Sequence, residues 1–230
     1  MPLDRSLRRL LGQLLALIVA LGGLVALPAA AAPGPVLVVA TGQGSHVVGR
    51  AAPAVKLVEY VSYTCPHCAE FEKLAGGRIL VTVVSPGKAS FEYRPVLRNI
   101  LDVAATLMVN CGPPARFQGN HTMVLRNQAK WVIQPSEAQL QRWQNGDMPA
   151  RLRAIAGDTG LYDMFERRGY SRVELDRCLA DQKQVETIAK ENEAAFAAGV
   201  QGTPSFFING QLQDAHDWNT LKPALEAATK

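Results

Sequence analysis

Residues 61–69 read VSYTCPHCA and place two of the chain's four cysteines, Cys65 and Cys68, three positions apart. A sulfur pair at that spacing closes into a ring and reopens under thiolate attack, so the chemistry it offers first is disulfide exchange. A β-branched and aromatic run precedes the pair and Pro66 sits inside it, which predicts a strand ending and a helix beginning at Cys65. There, backbone N–H groups and the helix dipole favour negative charge, and thiolate is the form that attacks and leaves. A free thiol titrates at ~8.5, and the first cysteine of such motifs falls to roughly 3.5–7.5. Each unit below ambient pH stabilises the dithiol by about 1.4 kcal/mol, or ~30 mV toward a stronger oxidant. His67, between the cysteines, offers an imidazolium or N–H donor to the same end. Cys68 lies one helical turn further on and is expected to face inward as the less exposed, resolving thiol.

Other chemistries fit these residues less well. A purely structural bridge across two residues is geometrically poor, and a metal centre needs two further ligands. Cys111 and Cys178 stand alone, without C-x-x-C or H-x-x-x-H partners, and His46, His121 and His216 are scattered, each read as a surface or loop histidine. No metal is expected, and no organic cofactor, since two sulfurs carry the electrons.

The surrounding elements follow from periodicity and punctuation. Residues 55–63 read as a buried strand, 66–74 as a helix with proline in its first turn, Gly76-Gly77 as a turn, and 90–96 as a second strand. From residue 101 to about 198 the signals are helical: 102–110, 116–131, 136–144, a helix opened by the Ser171-x-x-Glu174 capping box, and 184–198. Strand character returns at 205–208, followed by the hairpin signal Asn209-Gly210 and a last helix over 220–228. Strand, helix, strand, a helical block, then hairpin and helix is the order of an α/β domain, 53–101 and 199–230, interrupted by an all-helical insertion, 102–198. Tyr60, Tyr63, Trp131 and Trp143 are most simply core.

Residues 1–31 have the layout of a secretory signal: Arg5, Arg8 and Arg9, then an apolar run to Leu27, then Pro28 and alanines, with cleavage near Ala31. An uncleaved membrane anchor is the alternative, disfavoured by Gly12, Gly22, Gly23 and Pro28. Residues 32–52, rich in glycine and small side chains, read as a mobile lead-in, and Gly42-Gln-Gly44 lacks the strand-turn-helix setting of a dinucleotide loop. The formal charge of +4 falls to about +2 without the leader, too little to argue for nucleic acid. In an oxidising compartment four cysteines read as two pairs, so Cys111 and Cys178 are expected to bond. A loop of that length allows ~4 kcal/mol at best. Two buried, unpaired thiols are the alternative.

Taken together, EYVSYTCPHC, with Glu59 six positions before Cys65, and GVQGTPSFFING near the end resemble the DsbA family of exported thiol-disulfide oxidoreductases. The resemblance runs from about residue 46 to the end and implies a thioredoxin fold carrying a helical insertion. It further implies that Cys65 attacks and links to substrate, that Cys68 is its partner, and that His67 tunes both. Glu59 resembles the buried acid beneath the pair, suited to pass protons to or from Cys68; an edge carboxylate in a salt bridge is the alternative. Thr203-Pro204 resembles the cis-proline loop that faces the cysteines and pairs with an extended substrate. The best-known oxidases carry valine before that proline, so Thr203 leaves the direction of exchange open between an oxidase and a reductase or isomerase.

By this resemblance the chain is a periplasmic enzyme that gives disulfides to reduced, unfolded secreted proteins and is re-oxidised by a quinone-coupled membrane partner. Related isomerases are held as oligomers by an added N-terminal segment, for which residues 32–52 are too few, so a monomer is expected. Rivals from another class are a thiol-based copper carrier and a holdase for unfolded chains.

Overall fold

The computed structural model describes residues 36–230 apart from Gln43 and Ala51, so the leader and anchor readings of residues 1–31 lie outside the described residues. Among the described residues no helix is long and apolar enough to cross a membrane.

Among the described residues six strands form one sheet in the order β1-β2-β4-β3-β5-β6. They are β1 Leu37–Ala40, β2 His46–Gly49, β3 Val55–Val61, β4 Ala89–Pro95, β5 Ser205–Ile208 and β6 Gln211–Leu212. Only β3 and β4 pair in parallel, as the intervening helix requires; every other pairing is antiparallel. The central strand β3 is buried on both faces because its side chains alternate between two cores. Leu57, Glu59 and Val61 share a face with Phe91 and Tyr93 of β4 and Phe206 and Ile208 of β5. Val58 and Tyr60 point the other way, into a smaller cluster with Val96, Ala195 and Val200. Asn209 and Gly210, both with positive φ, make the two-residue turn into β6.

Two sequence expectations are corrected here. Residues 32–52, read as a mobile lead-in, contain β1 and β2, and β2 pairs with β4 in the register His46↔Tyr93 to Val48↔Phe91. The small residues serve close approach: a Cβ at Gly49 would stand 2.9 Å from Cα of Ser90 on the neighbouring strand. The second correction concerns Gly76-Gly77, which does not turn the chain. α1 (Pro66–Phe71) runs through a π-helical turn at Glu72–Gly76 into α2 (Gly77–Ile79) and a second π-helical turn at Leu80–Val84. Gly76 is small for a specific reason, since a Cβ there would fall 1.9 Å from Oε2 of buried Glu72.

The helical block contains α3 (Ile100–Val109), α4 (Phe117–Arg126), α5 (Gln128–Trp131), α6 (Glu137–Gln144), α7 (Met148–Asp158), α8 (Leu161–Glu166), α9 (Arg172–Leu179) and α10 (Gln182–Ala197). α7 and α8 had no sequence signal strong enough to be read, although Asp147 caps α7 through Ala150 N at 2.7 Å. Both halves of the capping box at Ser171 and Glu174 form. Cys111, just after α3, and Cys178 in α9 are joined by a disulfide with Cα atoms 5.7 Å apart. α11 (Trp218–Ala228) closes the chain. One contiguous apolar core includes Leu57, Phe91 and Phe206 of the sheet as well as Leu107, Trp131, Ile155 and Phe165 of the helices, so the block shares its interior with the sheet.

Candidate active site

β3 ends at Val61 and the chain turns through Ser62, Tyr63 and Thr64 before Cys65 caps α1 in an extended conformation, with Pro66 as the first helical residue. Three residues outside the motif hold that turn. Asp102, in the first turn of α3, accepts from Ser62 Oγ at 3.0 Å, Thr64 N at 2.9 Å, Thr64 Oγ1 at 3.0 Å and Arg98 N at 3.0 Å. Asn99, the cap of α3, donates to Thr64 Oγ1 at 3.0 Å. Gln128, buried at the start of α5, donates from Nε2 to the carbonyls of Tyr63 and Cys65, both at 2.8 Å. Nothing in the sequence marks Asp102 or Gln128 for this role, because each meets the turn only when helices far along the chain dock. Asn99 is legible as a helix cap alone.

Both cysteines are free thiols, and Cys68 is fully buried while Cys65 retains 3% of its surface. Facing them, the Thr203–Pro204 peptide bond is cis, and the protonated Cys65 thiol donates to the Thr203 carbonyl at 3.1 Å. The Cys65 thiol is lowered to about 5, first by the hydrogen bond from the Cys68 thiol, then, against the penalty of burial, by the Thr203 hydroxyl and the N–H groups of Cys68 and His67. The carbonyl favours the neutral thiol, four donors favour the anion, and the donors prevail. Burial first, then the hydrogen bond to Cys65 and the charge of Glu59, push the Cys68 thiol well up. Two adjacent sulfurs are thus driven apart: one is an anion at neutral pH and the other keeps its proton.

His67 is exposed at the rim, and its contribution to Cys65 comes through its backbone N–H. Glu59 lies in the centre of the sheet with 2% of its surface exposed. Burial, then the charges of Glu72 and Cys65, hold its carboxyl well above the usual range, and Oε1 has no hydrogen-bond partner among the described residues. Among the described residues it forms no salt bridge, and the strand neighbours on its face are Tyr93 and Phe206. A groove of about 460 Å³ passes over Cys65, lined also by His67, Val96, Arg98, Phe196 and Thr203. Phe196 is exposed there, an apolar side chain offered to solvent beside a reactive sulfur.

The structure therefore brings Cys65, Cys68, the His67 amide, Glu59, Thr203 and Pro204 together and leaves Cys111 and Cys178 in the helical block. Among the described residues no group of three metal-type ligands forms. The expectation that the scattered histidines are surface groups holds for His216 and is corrected for two others: His46 and His121 are buried, both stacked on Phe117, with Tyr93 tilted and Tyr63 edge-on against His121.

The model of the thioredoxin family matches residues 41–227. A protein of Rickettsia bellii, named as a candidate protein-disulfide oxidoreductase, is 27% identical over 188 residues that cover 81% of this chain and 65% of that protein. The chain thus spans less than two thirds of the length of the Rickettsia relatives it matches. The crystal structure of a protein-disulfide isomerase from Novosphingobium aromaticivorans is 42% identical, with a TM-score of 0.77 over 81% of this chain and 98% of that one. Wolbachia pipientis alpha-DsbA1 shares the fold, with a TM-score of 0.59 at 16% identity over 80% of this chain and 89% of that one. A family model that takes in β2 to β6, the cysteine pair and the helical block alike, and a solved relative matched along almost its whole length, place the chain in the thioredoxin family.

Proposed function

We propose that the chain is an exported, periplasmic thiol:disulfide oxidoreductase that donates the Cys65–Cys68 disulfide to reduced, unfolded secreted proteins. The observation that carries this reading is the acidity of Cys65, lowered to about 5 by four donors. A thiol two units more acidic than neutral solution stabilises the dithiol by roughly 2.7 kcal/mol, or ~60 mV toward oxidant. In the reaction a substrate thiolate attacks Cys65 Sγ, the Cys65–Cys68 bond breaks, and Cys68 leaves with the electron pair and takes a proton. A second substrate thiolate then attacks the substrate sulfur of the mixed disulfide and releases Cys65 as a thiolate. The substrate has lost two electrons and two protons; the protein keeps the electrons and one proton as one thiol and one thiolate, and the other proton goes to solvent. A quinone-coupled membrane partner would remove the electrons.

The groove supports a protein substrate: it is open, partly apolar at Val96 and Phe196, and runs past the Thr203 backbone, against which an extended chain can pair. The deciding experiment equilibrates the pair with glutathione and follows Cys65 thiolate absorbance against pH. An oxidase requires a potential near those of strong disulfide donors and a Cys65 pKa near 5; a potential near cytosolic reductants with a pKa above about 7 overturns it.

An isomerase is the second reading, favoured by the name of the Novosphingobium relative. Refolding separates the two. An oxidase in its disulfide form restores a reduced substrate, whereas an isomerase in its dithiol form restores a scrambled one.

A further inference from the structure

After β4 the chain runs Val96, Leu97, Arg98 beside the groove, and each backbone N–H of that run is pinned. Val96 N donates to Val61 O at 2.8 Å, Leu97 N to Asn192 Oδ1 at 3.1 Å and Arg98 N to Asp102 Oδ2 at 3.0 Å. The Asp102 carboxylate also holds Thr64 N, next to Cys65, so one side chain fixes the Arg98 backbone relative to the turn that carries the reactive sulfur. Asn192 lies one helical turn before Phe196 on α10, and its amide donates back to Leu97 O at 3.4 Å, which ties the helix that carries Phe196 to the same run. The backbone is held, yet the head group it presents is free. Arg98 is exposed, and among the described residues its guanidinium has no hydrogen-bond or ion-pair partner. Nor, among the described residues, does any aspartate or glutamate line the groove.

We propose that Arg98 is a specificity-determining residue: the groove selects extended segments of protein that carry a carboxylate side chain close to the reacting cysteine, and Arg98 pairs with that carboxylate. A guanidinium presents two parallel N–H donors that match the two oxygens of a carboxylate, a fit that an amide or an ammonium on the substrate cannot make. An extended chain sends its side chains alternately to two sides, so a carboxylate reaches Arg98 only from the positions that face it. Phe196, 56% exposed, gives the other side chains of the segment an apolar contact. The leading causes of Cys65 acidity are hydrogen-bond donors, so Arg98 acts on recognition rather than on the sulfur. This role rests on the oxidoreductase reading, names a substrate class for it and holds in either direction of exchange.

The test uses the full chain in its disulfide form and dithiol peptides that differ only in carrying Asp, Asn or Lys at successive positions around the first cysteine. The second-order rate of oxidation of each peptide is divided by its rate with glutathione disulfide, which removes the neighbour's effect on the peptide's own thiol. The parent should prefer Asp over Asn by about threefold at low salt in at least one position, and the preference should fade as salt screens the pair. Arg98→Gln should abolish it, Arg98→Lys should keep part of it, and Arg98→Glu should turn it in favour of Lys. Any change in Cys65 reactivity acts on all peptides alike and cancels in the ratio, so a merely structural role would not move it. A parent without preference at any position overturns the assignment, as does a preference that persists in Arg98→Gln. Exchange with none of the peptides would instead sink the oxidoreductase reading, and this role with it.

Discussion

At the scale of single residues, the separation of the two sulfurs governs how the protein responds to pH. Cys65 has a folded pKa of about 5, below that of an ordinary thiol, while Cys68 keeps its proton. The folded dithiol form therefore gains stability against unfolding as pH rises from about 5 toward the ordinary thiol value, and loses that gain as pH falls through about 5. The potential carries the same signature: reduction takes up one proton above that point and two below it. Its slope should be ~30 mV per pH unit at neutral pH and steepen to ~59 mV per unit in acid, read by glutathione equilibration at several pH values. Thr203 supplies one of the four donors, so Thr203→Val should raise the Cys65 pKa, measured by thiolate absorbance, by roughly one unit and make the pair ~30 mV more reducing. An unmoved titration would show that the hydroxyl does not reach the anion.

At the scale of elements, two supports outside the motif invite mutation. Asp102→Ala would leave Thr64 N, Ser62 and Arg98 N without their shared acceptor and should cost about 3 kcal/mol in urea unfolding. Gly76→Ala sets a helix-propensity gain of about 1 kcal/mol against a Cβ driven into the Glu72 carboxylate, and the clash should win by roughly 1–3 kcal/mol. Glu72→Ala removes the clashing atoms, so the double variant should recover most of the loss, a coupling that a double-mutant cycle in urea reads directly. The same glycine shows where sequence reasoning stopped. Residues 55–61 and 205–208, the Asn209-Gly210 turn and the Ser171 box were legible, since local periodicity and turn chemistry dictate them. Gly76 was not, because its smallness answers to a carboxylate rather than to a turn, and β1 and β2 were not, because the glycines and small residues around them read as a loop. The cysteine pair was plain in the sequence. The contacts of Asp102 and Gln128 with the turn before and at Cys65 span 38 to 65 positions and come into being only in the folded chain.

At the scale of the whole molecule, sheet and helices share one core, and the Cys111–Cys178 bridge ties two helical segments of it together. Replacing both with alanine should cost up to ~4 kcal/mol in denaturant unfolding, with one transition retained and exchange at Cys65 unaffected. Two separated transitions would show that the helical block is a unit of its own.

The oxygen and hydroxyl that meet Cys65 belong to Thr203, 138 positions further along the chain. A polypeptide synthesised from its first residue presents Cys65, Cys68 and Cys111 long before Thr203 and β5 arrive. Until then Cys65 lacks one of its four donors. Its full acidity arrives last, with completion of the sheet, so an unfinished molecule shuffles bonds, its own included, less readily than the finished one.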